Sequence, residues 1–179
     1  MTAPQSEAEQ LAFASPDERA AWFKRYKHPD RIAYDWAYWR RAAQVPPEGD
    51  WRGWFIMAGR GFGKTRMAAE WVRDVAEHDG AARIALVAAT LHEARTIMVE
   101  GESGLLSIAP PEQRPTFEPS LRRLSWPNGA IATLYSAAEP DSLRGPQHSH
   151  GWADEIAKWD NAVKAWNNLD MTLRLSPCP

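Results

Sequence analysis

The segment Ala58-Gly59-Arg60-Gly61-Phe62-Gly63-Lys64-Thr65 constrains this chain more than any other. It follows the phosphate-loop pattern G-x-x-x-x-G-K-[ST], with Ala58 where the first glycine belongs. The residue types follow from the chemistry. Gly59, Gly61 and Gly63, with Arg60 and Phe62 between them, let successive backbone N–H groups curl inward around phosphate oxygens. Lys64 supplies a point charge for the outer phosphates of ATP, and the Thr65 hydroxyl is a ligand for Mg2+. The apolar run Trp51–Ala58 before the loop predicts a buried strand. After it, Met67, Trp71 and Val75 recur on one side, which predicts a helix over 64–77 with its positive end on the same anion. A glycine-rich turn with an incidental Lys-Thr is the bland alternative. The strand-before, helix-after context argues against it.

The alternation continues downstream. Ala82–Ala89 is a second apolar run, followed by a predicted helix from about Leu91 to Glu100. Strand, helix, strand, helix implies an α/β fold on a mostly parallel sheet flanked by helices. Leu121–Trp126 and Ala130–Tyr135 flank Pro127-Asn128-Gly129, the signature of a β-hairpin inserted into that framework. A loop over 136–148, a third core strand near Ser149–Asp154 and a helix over 160–169 follow. Met171–Leu175 reads as the approach to a further strand.

Residues 1–45 read as a helical arm and 46–179 as the core. Ser15-Pro16-Asp17-Glu18 is a helix start, with a serine cap, proline in the first turn and acids at the positive end. A second helix is predicted over Asp30–Ala43, with Ile32, Trp36 and Trp39 on a face that either packs or meets a partner. The basic residues here, Arg41 among them, are interspersed with acids and predict a solvated surface. Val45–Asp50 has linker composition.

Charge and cysteine usage exclude several classes. Lys plus Arg is 21 against 23 for Asp plus Glu, a net charge of -2, so any nucleic-acid contact must come from a local patch. Cys178 is the lone cysteine, which rules out a disulfide framework or a cysteine-based zinc cage within this sequence. The polar start MTAPQSEAEQ is not that of a signal peptide, and no run approaches the ~20 apolar residues of a membrane span.

A phosphate-loop enzyme needs a carboxylate on its metal at the end of a neighbouring strand. Asp154-Glu155 is the candidate: Asp154 for Mg2+, Glu155 as the base that orients and deprotonates an attacking water. The preceding His150-Gly151-Trp152-Ala153 is less apolar than such strands usually are, and an acidic pair capping a helix start is the alternative.

These features together resemble the large terminase subunit of tailed bacteriophages and related gene-transfer-agent packaging proteins. The resemblance rests on Gly59–Thr65 with its internal Arg60, the hairpin at Trp126–Ala130, the stretch Tyr135–Pro146, and Trp152-Ala153-Asp154-Glu155. It implies an ASCE-type P-loop ATPase of a DNA-packaging motor. Implied partners are double-stranded DNA, the portal protein, the small terminase subunit and further copies in a ring, in the cytoplasm of a bacterial host and without a membrane. It implies that Arg60 contacts the γ-phosphate within its own subunit and that Arg144 acts as an arginine finger across subunits. Trp51 or Trp54 would border the adenine, or else pack. The family's ATPase sheet extends past Glu155 to a threonine-ended strand, with a nuclease domain beyond. The chain is therefore expected to correspond to the front part of such a subunit, with an incomplete core and no nuclease domain. A nucleotide-holding remnant that does not hydrolyse, and another helicase-like ASCE ATPase, are the competing readings.

Overall fold

The computed structural model describes residues 6–26 and 29–175. They fall into two compact units, one up to Met67 and one from Ala68 onward, and each is described by itself.

The first unit is helical and aromatic. Helix α1 (Glu7–Phe13) starts with a capping box: Glu9 N–H donates to Ser6 Oγ at 3.1 Å and Ser6 N–H donates to Glu9 Oε2 at 3.0 Å. Helix α2 (Pro16–Arg25) repeats the device with Ser15 and Glu18, as its sequence predicts. The single helix expected over 30–43 is broken. A 3-10 turn (Pro29–Tyr34), helix α3 (Trp36–Trp39) and another 3-10 turn (Ala42–Gln44) take its place. Asp35 is the physical reason. Its carboxylate caps α3 by accepting from Tyr38 N–H and also accepts from the Tyr26 hydroxyl, so it competes with helix continuation. The buried aromatics are Trp22 and Tyr38; Trp22 stacks on Tyr26 at 4.8 Å and tilts against Tyr38 at 5.0 Å. On the predicted Ile32-Trp36-Trp39 face, Trp39 is exposed, with its indole donating to Ile32 O at 2.7 Å.

The strand expected over 51–58 does not form. The segment has no ladder partner, and Phe55 and Met57 are exposed. Apolarity announces burial, but a strand exists only through hydrogen bonds to a neighbour. Helix α4 (Lys64–His78) follows as predicted, and the boundary between the units falls inside it.

The second unit is α/β. Strands β1 (Arg83–Ala88), β2 (Thr116–Glu118), β3 (Arg123–Ser125), β4 (Ile131–Ser136) and β5 (His150–Ala153) form one sheet in the order β2-β3-β4-β1-β5. β1 is parallel to both β4 and β5, while β3 is antiparallel to β4 and to β2. The sheet is thus mixed, not mostly parallel, because the inserted hairpin builds one whole side of it. The Asn128-Gly129 turn closes that hairpin, with Gly129 at φ +101° and Asn128 Nδ2 donating to Ala76 O at 2.7 Å.

Alternation along β1 separates two cores. Ile84, Leu86 and Ala88 face one cluster with Ala69, Val72 and Ala76 of α4, together with Met98, Leu124 and Trp152. Ala85 and Val87 face the other, with Tyr135, Leu143, Trp159, Ala165 and Leu169. On the first side, helix α5 (Leu91–Glu93) widens into a π-helical turn (Ala94–Val99), and helix α6 (Leu105–Ile108) follows. Helix α7 (Ala162–Thr172) lies on the second side. The expected strand approach over 171–175 is reduced to one bridge, Leu173 beside His148, because α7 runs on to Thr172.

A buried polar chain joins β4 to α7 through His148, which precedes β5. Thr172 Oγ1–H donates to Leu169 O at 2.7 Å, which leaves its oxygen to accept from His148 Nδ1–H at 3.0 Å. His148 Nε2 then accepts the Tyr135 hydroxyl at 3.1 Å. This arrangement of donors and acceptors is that of a neutral imidazole, and burial pushes its pKa down to about 4. The unfolded chain therefore binds a proton that the folded one refuses. The contribution to stability is present above pH 6.5 and is lost as pH falls through about 4. His148→Gln should flatten the pH dependence of denaturant unfolding across that window, removing up to roughly 3 kcal/mol of acid destabilisation. Equal slopes in the two proteins would contradict the assignment.

Candidate functional site

The glycine loop has the backbone its sequence demands. Gly61 and Gly63 sit at φ +77° and +85°, conformations that side chains disfavour. A Cβ on Gly63 would also lie 2.8 Å from Gln44 Nε2. Lys64 opens α4, and its ammonium turns back onto the Ala58 and Gly59 carbonyls at 2.8 and 3.1 Å. Thr65 is half-buried in the first turn of α4. Arg60 is exposed and makes no hydrogen bond or ion pair among the described residues, so the loop spends no internal contact on it.

Two residues from the segment before the linker hold this loop. Arg41 Nη2 and Gln44 Nε2 both donate to the Phe62 carbonyl, at 2.6 and 2.8 Å. The Arg41 guanidinium also stands 5.3 Å from the Phe62 ring centroid. Arg41 is thus not simply part of a solvated face. Trp51 and Trp54 are half-buried, with ring centroids 6.1 Å apart in an edge arrangement, and Trp51 Nε1 donates to Pro47 O at 3.0 Å.

The acidic pair stands at the C-terminal end of β5. Asp154 N–H donates to Val87 O at 2.9 Å, and the Trp159 indole donates to Asp154 O at 2.9 Å. Burial, then the neighbouring charge of Glu155, pushes the Asp154 carboxyl above its usual range. A divalent cation would offset both effects. Glu155 adopts φ +47° and ψ +50°, a left-handed conformation that turns the chain sharply out of the strand. Its carboxylate is exposed, with Lys158 Nζ 3.1 Å from Oε2 and the same ammonium 3.0 Å from Glu93 Oε1.

Arg144 follows a 3-10 turn (Pro140–Leu143) and precedes Gly145, which sits at φ +105°. Its Nε lies 3.4 Å from Asp141 Oδ1 and 3.4 Å from Asn168 Oδ1. Its terminal nitrogens make no hydrogen bond or ion pair among the described residues.

Residues 68–175 thus define a class, an α/β protein with an acidic pair at the C-terminal end of an edge strand, where α/β sheets present ligand-binding groups. The family described as terminase large subunit, T4likevirus-type, N-terminal, matches residues 55–176. The chain belongs to that family, and the match spans the glycine loop, Arg144 and Asp154-Glu155. Membership ties it to phage DNA packaging. Comparison with curated proteins and with solved structures gave no match. No helix among the described residues is long and apolar enough to cross a membrane.

The left-handed geometry at Glu155 has a measurable cost. A non-glycine residue there is disfavoured by roughly 1 kcal/mol, more if it is β-branched. Stability to denaturant should rank Glu155→Gly above the wild type and Glu155→Val below it. A glycine variant less stable than the wild type would show that the ion pair with Lys158, not the backbone, governs this position.

Proposed function

We propose that the chain is the ATP-hydrolysing part of a DNA-packaging motor with a P-loop of the ASCE type. The single observation that supports this most is the loop Gly59–Thr65, where two positive-φ glycines run straight into Lys64 and a fifteen-residue helix. That backbone, the positive helix end and the ammonium favour a polyphosphate. Gly59, Arg60, Gly61, Phe62 and Gly63 wrap the phosphates, Lys64 neutralises the outer ones and Arg60 reaches the γ-phosphate. Thr65 and Asp154 would hold Mg2+. That ion neutralises charge on the phosphate oxygens when bound.

Glu155 accepts the proton of the attacking water. Its carboxylate is exposed while that of Asp154 is half-buried, which suits a division of labour between base and metal ligand. Arg144 stabilises the charge that spreads over the transferred phosphoryl group, acting from a neighbouring subunit of a homo-oligomeric ring. Double-stranded DNA, the portal protein and the small terminase subunit are the partners that follow from the family.

Phosphate release from Mg-ATP tests the roles. Glu155→Gln should lower kcat by at least about 100-fold while changing nucleotide affinity little. Lys64→Ala should abolish binding at millimolar nucleotide. Hydrolysis that survives Glu155→Gln would refute the base assignment. Binding without turnover in the unmodified chain would identify a nucleotide-holding remnant instead. Arg144→Ala should reduce turnover only where subunits assemble; a loss in a demonstrably monomeric sample would refute action across subunits.

A further inference from the structure

One buried amide ties the turn that carries Arg144 to α7. Asn168 is 2% exposed, and it lies on α7 beside Ala165 and Leu169, which pack with Leu143 and Tyr135 in an apolar cluster. A polar side chain in such a place destabilises the fold unless its groups are paired. Both are. Nδ2–H donates to Pro140 O at 2.8 Å, and Oδ1 accepts from Arg144 Nε at 3.4 Å. Pro140 opens the turn and Arg144 follows it, so a single side chain holds both ends. Asp141 Oδ1 also lies 3.4 Å from Arg144 Nε, and Lys164, again on α7, holds Asp141 Oδ2 at 2.8 Å. Those ion pairs are exposed, and water can replace much of what they contribute. Water does not reach the buried amide so readily.

The consequence lies in the geometry of the guanidinium. Its Nε edge is anchored, its side chain is 63% exposed, and its two terminal nitrogens carry no partner among the described residues. An arginine held by Nε presents the opposite edge as a planar pair of donors suited to a phosphoryl oxygen. We infer that Asn168 is a positioning residue for Arg144, aiming its terminal nitrogens at the phosphates of ATP held by a second copy of the chain. The inference rests on the finger role proposed above for Arg144.

A double-mutant cycle on assembled chains tests it. Asn168→Leu should lower kcat about tenfold with KM nearly unchanged, and should add no further loss in an Arg144→Ala background. Additive losses would overturn the proposal, because they would show Asn168 acting on the fold at large. Asn168→Ser is the second variant should the leucine fail to fold. If Arg144→Ala itself leaves kcat intact, the finger role fails, and nuclear magnetic resonance of the arginine side chain still decides the positioning. The Nε–Hε order parameter of Arg144 should fall on Asn168 substitution while the α7 backbone stays ordered near ~0.85. An Arg144 equally ordered in both proteins would overturn it.

Discussion

Strand β1 is the element to which the rest of residues 68–175 is registered. It carries parallel ladders on both edges, to β4 from Arg83 to Ala88 and to β5 from Ile84 to Val87, and Ile84–Val87 are fully buried. With both edges paired and both faces covered, β1 has no freedom to slip. A one-residue shift would exchange its two faces and place Ile84 and Leu86 in the core now built around Ala85 and Val87. The parallel direction then delivers the C-terminal ends of β4 and β5 to the same margin of the sheet. That margin bears Ser136 and the loop toward Arg144 on one side of β1, and Asp154-Glu155 on the other.

The candidate groups of this unit sit where its scaffold ends, and each is held by a contact of a different kind. Asp154 is fixed by its backbone bond to Val87 O, so its position follows from the ladder itself. Glu155 is set by a disfavoured backbone conformation and an exposed ion pair. Arg144 depends on side chains from α7. The glycine loop of the first unit has its own support in Arg41 and Gln44, which converge on one carbonyl. Of the groups proposed for chemistry, Arg60, Arg144 and Glu155 are exposed, while Lys64, Thr65 and Asp154 are half-buried.

Much of this was legible from local pattern. The capping residues of α2, the amphipathic period of α4, the apolar run of β1 and the Asn-Gly turn each act within a few residues, so the sequence states them directly. The capping box of α1 was equally available in Ser6 and Glu9. The misreadings share a cause. Trp51–Ala58 has the apolarity of a strand, but a ladder needs an edge that no local pattern announces. Helix 30–43 kept its period while Asp35 diverted its backbone bonding. Arg41 looked like surface because its partner, the Phe62 carbonyl, is a backbone atom with no signature in sequence.

The sequence by itself determined the phosphate-loop pattern, the acidic pair, the α/β alternation and the family, because each rests on residue type and short spacing. Only the tertiary structure decided that the sheet is mixed, that Glu155 turns out of its strand, that His148 lies neutral in a buried chain and that Asn168 holds Arg144. Those depend on which distant groups meet, and on burial that makes an unpaired polar atom costly. Neither quantity is written in the order of residues.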